Sequence, residues 1–295
     1  MTATIFPAEK QISSRGKICS KTLNFPIGIA MKTVLLTSNS YRHQYIARCL
    51  EEQTDLKLII SEEKSTKISD TSSLEYEDAE FQKIHLRKRE ESEIEFFGKE
   101  GFPQTVLQLK MAHGDINSEL TLKVLNDIDP DYIILFGTSI IQNELLKAFP
   151  QRVINLHLGL SPWYKGSATN LFPLIDGRPE LVGATIHLAT AEVDAGGILH
   201  QLRPELEEHD SLHDIGNKVI LQAGKILPIV LKEYESGKIT PFKQGNPGKI
   251  CRIKDLTTEK LRRAYQNISQ GMIPEYLKKK EAIDADFPIV SNLDQ

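Results

Sequence analysis

Residues 132–157 read Y-I-I-L-F-G-T-S-I-I-Q-N-E-L-L-K-A-F-P-Q-R-V-I-N-L-H, a strand, a turn, a helix and a second strand in succession. Tyr132 to Phe136 is an unbroken apolar run, as expected for a parallel strand covered on both faces. Gly137 ends it, Asn143 to Ala148 has the length of a short helix, and Val153 to His157 starts the next strand. Strands alternating with helices predict a doubly wound, mostly parallel α/β sheet. Such sheets bind ligands beyond the carboxyl ends of their strands.

Working outward, Thr33 to Thr37 predicts an opening strand, S-N-S-Y-R-H-Q-Y a turn, and Tyr45, Ile46, Cys49 and Leu50 the buried face of a helix. Leu56 to Ile60 and Thr105 to Leu109 are two further strands, and Ile116 to Leu125 has helical spacing up to the Asp129-Pro130 breaker. Residues 62–100 are dense in Glu and Lys, with Phe81, Ile84, Leu86, Ile94, Phe96 and Phe97 as the apolar positions. This pattern predicts a charged surface helix with a partly buried stripe, in which His85 is solvated; a partner-binding arm is the sharper reading. Leu181 to Leu188 alternates as a strand. Asp210 is expected to cap a long helix running through Tyr234, Leu256 to Tyr265 and Met272 to Lys280 carry helical signals, and the chain after Asp284 is expected to be loose.

At 295 residues the chain suits one large α/β domain with an appendage. We assign residues 31–205 to that domain, 62–100 to a charged helical insertion, 206–295 to a C-terminal helical segment, and 1–30 to a disordered N-terminal extension. The net charge of −4 disfavours bulk nucleic-acid binding, although Lys249, Arg252, Lys254, Arg262 and Arg263 form a modest basic cluster. Three scattered cysteines, Cys19, Cys49 and Cys251, fit a reducing cytoplasmic compartment. His209 and His213 have H-x-x-x-H spacing, but no cysteine or further histidine stands near them in sequence, so no metal is expected. No apolar run approaches the roughly eighteen residues of a membrane span.

Asn155 and His157 carry the chemistry. Side chains two apart on a strand project from one face, and Pro162 and Gly166 force an irregular loop just beyond them. Asp194 follows in a turn between two strand-like runs, where it can be a turn-former or a catalytic carboxylate. An amide, an imidazole and a carboxylate are what acyl transfer to an amine requires: donors for the oxyanion of a tetrahedral intermediate, and an acceptor for the proton the amine sheds. In the first turn, Asn39 and Ser40 can cap the helix while Arg42 and His43 reach a phosphate at its N-terminus; the plainer reading is a cap beside a solvated charge.

Taken in order, Asn155-x-His157, Leu160-x-Pro162 with Gly166, Thr185-x-His187, and Asp194-x-Gly196-x-Ile198 with Gln201 resemble the motif series of the folate-dependent formyltransferases. Leu158, Gly159 and Ser161 depart from the Pro-Ser and Leu usual in that family. The resemblance implies a Rossmann-like formyltransferase fold, N10-formyltetrahydrofolate as co-substrate, and Asn155, His157 and Asp194 as catalytic residues, with His187 a structural neighbour. It further implies that Gly137, Ser139, Ile140, Ile141 and Val193 contact the folate, and that Asn39, Ser40, Arg42 and His43 contact the acceptor. The implied acceptor is a small-molecule primary amine, on an amino sugar or nucleotide-linked amino sugar. The alternatives are methionyl-tRNA or glycinamide-ribonucleotide formyl transfer, hydrolysis of formyltetrahydrofolate, and a non-catalytic folate-binding protein. No membrane partner is expected, and the C-terminal segment is a candidate for homodimerisation.

Overall fold

The computed structural model describes residues 31–64, 74–245 and 248–293, so the expectation of a disordered 1–30 segment lies outside the described residues. The first half alternates β1 (Lys32–Thr37), α1 (Tyr41–Gln53), β2 (Asp55–Glu62), α2 (Tyr76–Phe97), β3 (Leu107–Met111), α3 (Glu119–Ile128), β4 (Tyr132–Phe136), α4 (Asn143–Ala148) and β5 (Val153–His157). Then come β6 (Tyr164–Gly166), α5 (Phe172–Ile175), β7 (Ala184–Leu188), β8 (Ile198–Leu202), α6 (Leu212–Glu235), β9 (Lys249–Cys251), α7 (Thr258–Ser269), α8 (Met272–Lys278) and α9 (Lys280–Asp286).

The main sheet has the order β3-β2-β1-β4-β5-β7-β8. The five strands from β3 to β5 are parallel, and β7 and β8 add to the β5 edge antiparallel. This is the mostly parallel, doubly wound sheet expected from the alternation. The apolar runs are continuous because each face has its own core. Leu35, Ile59, Ile134 and Ile154 point into one, with Ile46 and Leu50 of α1 and Val219 and Leu227 of α6. Val34, Leu36, Leu58, Ile60, Ile133 and Val153 point into the other, with Leu125 of α3 and Leu145 of α4. Each buried aliphatic side chain here contributes on the order of 1.5–3 kcal/mol, and the alternation fixes which residues of β5 face the ligand side.

Three local expectations change. The cap of α6 is Ser211, whose Oγ accepts from Asp214 N–H at 3.2 Å while the Asp214 carboxylate accepts from Ser211 N–H at 3.0 Å; Asp210 pairs with Lys218 instead. Leu181 ends a short 3-10 turn, and the strand starts at Ala184. The segment after Asp284 is docked along β8: Gln201 N–H donates to Val290 O at 2.7 Å, and Asn292 N–H to His200 Nδ1 at 3.2 Å. Together with a bridge from Ile198 to Phe242, this covers a sheet edge that would otherwise present unpaired backbone groups.

Candidate active site

The carboxyl ends of β1, β2, β4 and β5 open onto a cavity of about 1100 Å³, at the place a doubly wound sheet offers its ligand site. Asn155 and His157 reach it from β5, and antiparallel pairing sets His187 of β7 opposite Asn155 and Thr185 opposite His157. Asp194 enters from the turn between β7 and β8 with a left-handed φ of 49°. That turn lies so close to β7 that a Cβ at Gly196 would meet Leu188 O at 1.8 Å.

The carboxylate is the hub. Asp194 Oδ1 accepts from the Asn155 amide at 3.1 Å and lies 3.4 Å from His187 Nε2. Its Oδ2 accepts from Gly166 N–H at 2.8 Å and faces His157 Nδ1 at 3.2 Å. Burial raises the Asp194 pKa, but a proton on His157, together with His187 and the Gly166 N–H, outweighs it and holds the carboxyl well below the usual carboxylate range, so a proton that reaches this pair rests on the imidazole. His187 donates from Nδ1 to Leu188 O at 2.8 Å, so its Nε2 lone pair accepts from Asn155 Nδ2 at 3.1 Å. Both amide hydrogens of Asn155 are thereby committed to neighbours.

His157 is 5 % exposed and donates from Nε2 to Tyr164 O at 3.0 Å. With the proton there, its Nδ1 lone pair confronts the Asp194 carboxylate across 3.2 Å. Burial pushes the His157 pKa below the usual imidazole value, with Asp194 pulling it back. A buried imidazole and an ionised carboxylate that face each other with no proton between them form a pair ready to accept one.

The loop after His157 is held from beneath. Thr185 Oγ1 donates to Gly159 O at 2.7 Å and accepts from Ser161 N–H at 3.0 Å, while Gln201 Nε2 donates to Thr185 Oγ1 at 3.0 Å and to Ser161 O at 2.6 Å. Thr185 and Gln201, part of the recurring motif series, thus anchor the loop that follows His157.

The other predicted residues divide. Gly137, Ser139, Ile140, Ile141 and Val193 all line the cavity, and Ile140 and Val193 are exposed there. Arg42 and His43 also line it, whereas Asn39 and Ser40 do not belong to its wall. Ser40 is the N-cap residue of α1, and its N–H donates to His43 Nδ1 at 3.1 Å, leaving the His43 proton on Nε2. The His43 ring packs on Phe136, and a Cβ at Gly137 would approach its Nε2 to 2.6 Å. Arg42 is buried rather than solvated and is bound to Glu93 of α2.

Several residues escaped the sequence reading. Glu62, 2 % exposed, accepts from the Ser139 N–H and Oγ and from Gly114 N–H, tying the loop after β4 to the loop after β3. His85 is buried, not solvated: its Nδ1 and His213 Nε2 each lie 3.0 Å from the Tyr265 hydroxyl, joining α2, α6 and α7. His85, Arg89 and Glu93 line the cavity from α2. Their spacing of four was the available signal, since it marks one helix face; the apolar positions of the insertion drew attention to another.

The family model described as Formyl transferase matches residues 32–231. The chain belongs to the formyl transferase family. Formyl transferase relatives include the Bos taurus trifunctional purine biosynthetic protein adenosine-3, 26 % identical over 159 residues, which are 53 % of this chain and 15 % of that protein. The methionyl-tRNA formyltransferase of Listeria welshimeri is 29 % identical over 143 residues, 48 % of this chain and 45 % of that one. The chain thus spans less than half the length of these curated relatives. Among solved structures, a sugar N-formyltransferase from Shewanella superposes with a TM-score of 0.52 at 17 % identity, covering 81 % of this chain and 87 % of its own. Glycinamide ribonucleotide transformylase 1 from Symbiobacterium toebii does so with a TM-score of 0.51 at 20 % identity, covering 78 % and 100 %. At such identities these are likenesses of fold.

Proposed function

We propose that this chain transfers a formyl group from N10-formyltetrahydrofolate to the primary amine of a small molecule, an amino sugar or nucleotide-linked amino sugar. One observation carries the reading: the Asp194 carboxylate contacts the Asn155 amide at 3.1 Å and the His157 ring at 3.2 Å on the wall of a cavity large enough for two substrates. Gly137, Ser139, Ile140, Ile141 and Val193 form the folate side. Arg42 and His43 form the acceptor side, with Asn39 and Ser40 acting only through the turn.

The unprotonated amine attacks the formyl carbon, and the carbonyl electron pair moves onto oxygen. Asn155 turns an amide hydrogen from Asp194 or His187 to that oxyanion, a rearrangement of the kind that separates free from substrate-bound sites. The amine proton passes, directly or through water, to Asp194 and is shared with His157 Nδ1. Positively charged His157 then strengthens the oxyanion site. When the intermediate collapses, the bond from carbon to the folate nitrogen breaks and that nitrogen takes up the proton.

The test is incubation of the protein with 10-formyltetrahydrofolate and a panel of amino sugars, read by mass spectrometry. The expected result is an acceptor carrying the mass of one added formyl group. Formate released at the same rate without any acceptor would instead identify a hydrolase. The buried free thiols of Cys49 and Cys251 fit the reducing cytoplasm in which we place the reaction.

A further inference from the structure

Three consecutive residues of β6 address the pair formed by His157 and Asp194. Tyr164 O accepts from His157 Nε2 at 3.0 Å, and Gly166 N–H donates to Asp194 Oδ2 at 2.8 Å. The other edge of β6 is taken by β9: Lys249 N–H donates to Trp163 O at 2.8 Å, and Ser167 N–H to Cys251 O at 2.9 Å. Between the two backbone contacts stands Lys165, to which the steps of formyl transfer give no part.

Lys165 is 4 % exposed and lines the cavity. Among the described residues no hydrogen bond or ion pair holds its ammonium, whereas Arg42, also buried in the cavity wall, is bound to Glu93. A charge without a contact partner acts through space, and in a site poor in water it acts over several ångströms.

The pair has a use for such a charge. His157 is faced by Asp194 from the turn between β7 and β8, by His187 from β7, and by Tyr164 O and Lys165 from β6. Burial is the largest influence on the ring and keeps protons off it; Asp194 draws one on, and His187 and Lys165 oppose that pull. With the His187 Nε2 lone pair taken by Asn155, the standing cation of this set is Lys165. A ring that Asp194 had already protonated could not take up the proton that the attacking amine sheds.

We propose that Lys165 is a positioning residue for the proton: its positive charge offsets Asp194 and keeps His157 Nδ1 vacant until the proton of the amine arrives. The same charge then favours passage of that proton to the folate nitrogen when the intermediate collapses. The proposal deepens the formyl-transfer reading and rests on it for the source and destination of the proton.

The test is titration of the His157 ring by nuclear magnetic resonance in the full chain, with labelled histidine and the resonance assigned by its loss in His157→Gln. Lys165→Met and Lys165→Gln remove the charge, Lys165→Arg keeps it, and circular dichroism confirms that each variant is folded. In the two neutral variants the midpoint should rise by on the order of one pH unit, and in Lys165→Arg it should stay with the unaltered protein. The acid limb of turnover should move to higher pH with the midpoint, while tetrahydrofolate affinity, measured by calorimetry, is unchanged. The proposal is overturned if the midpoint does not rise in the neutral variants, or if it rises as much in Lys165→Arg, since packing rather than charge would then be responsible. It is equally overturned if the midpoint rises and the acid limb of turnover does not. An unmoved midpoint with lost tetrahydrofolate affinity would assign the lysine to the folate instead. The titration requires neither acceptor nor turnover, so it can fail while formyl transfer stands, and the reverse.

Discussion

The two walls of the cavity are built on opposite principles. At the strand ends, Asn155, His187 and Asp194, with His157 held on Tyr164 O and the others on the Gly166 and Leu188 backbone, fix one another and leave room for one proton between His157 and Asp194. On the helical wall, Lys64, Arg42, Arg89 and Glu93 leave positive charge over. The first wall fixes geometry and the second offers charge. A reaction needing one proton acceptor in one orientation calls for the former.

The comparison breaks most directly at Asp194. Asp194→Asn keeps the shape but removes the proton acceptor, so turnover should fall about 10²–10⁴-fold while tetrahydrofolate affinity, measured by calorimetry, stays the same. Normal turnover would show that the strand-end cluster is only scaffolding. Gly166→Ala attacks the same cluster through the backbone. The residue has a φ of +95°, and a Cβ would meet Cys251 O at 2.2 Å. We expect a loss of about 1–3 kcal/mol in unfolding free energy, read from denaturant midpoints, together with reduced turnover.

Thr185→Val should cost a comparable or smaller amount, about 1–3 kcal/mol. It strips the partner from Ser161 N–H and Gly159 O, and one of two partners from Gln201 Nε2, without touching the Asn155, His157 and Asp194 groups. A variant as stable as the parent would show that the loop is held elsewhere. An effect confined to acid pH belongs to the helical wall. His213 has its pKa pushed by burial to about 4, below the ordinary imidazole value. Between that value and about 6.5 the unfolded chain binds a proton that the folded chain refuses, so stability falls as pH falls. Chemical denaturation at pH 7.5 and pH 5 should differ by on the order of 2 kcal/mol from this ring, and His213→Gln should flatten the slope.

The two walls also differ in how far they could be read from residues alone. Asn155 and His157 declared themselves because a strand has a fixed period, so two positions apart means one face. The turn bearing Asp194 followed from its place between two strand-like runs, and the alternation of runs yielded the sheet. The far wall depends on the rotation of α2 about its axis, which a segment rich in Glu, Lys and Arg throughout does not reveal. His85, Arg89 and Glu93 therefore looked like any other solvated charges in residues 62–100. The tail after Asp284 is ordered where looseness is expected for a related reason: its hold on β8 is made through backbone groups and Gln201, and neither has a composition signature.

Gln201 has a longer reach than its motif position suggests. One end of its amide holds the loop behind His157, and the other accepts from Val290 N–H at 3.0 Å. Anything that pulls on residues 290–292, whether a fusion partner, a shortened terminus or a binding protein, therefore tugs on the floor beneath the reacting groups. Changes made there for convenience of purification should register as altered kinetics before they register as altered solubility.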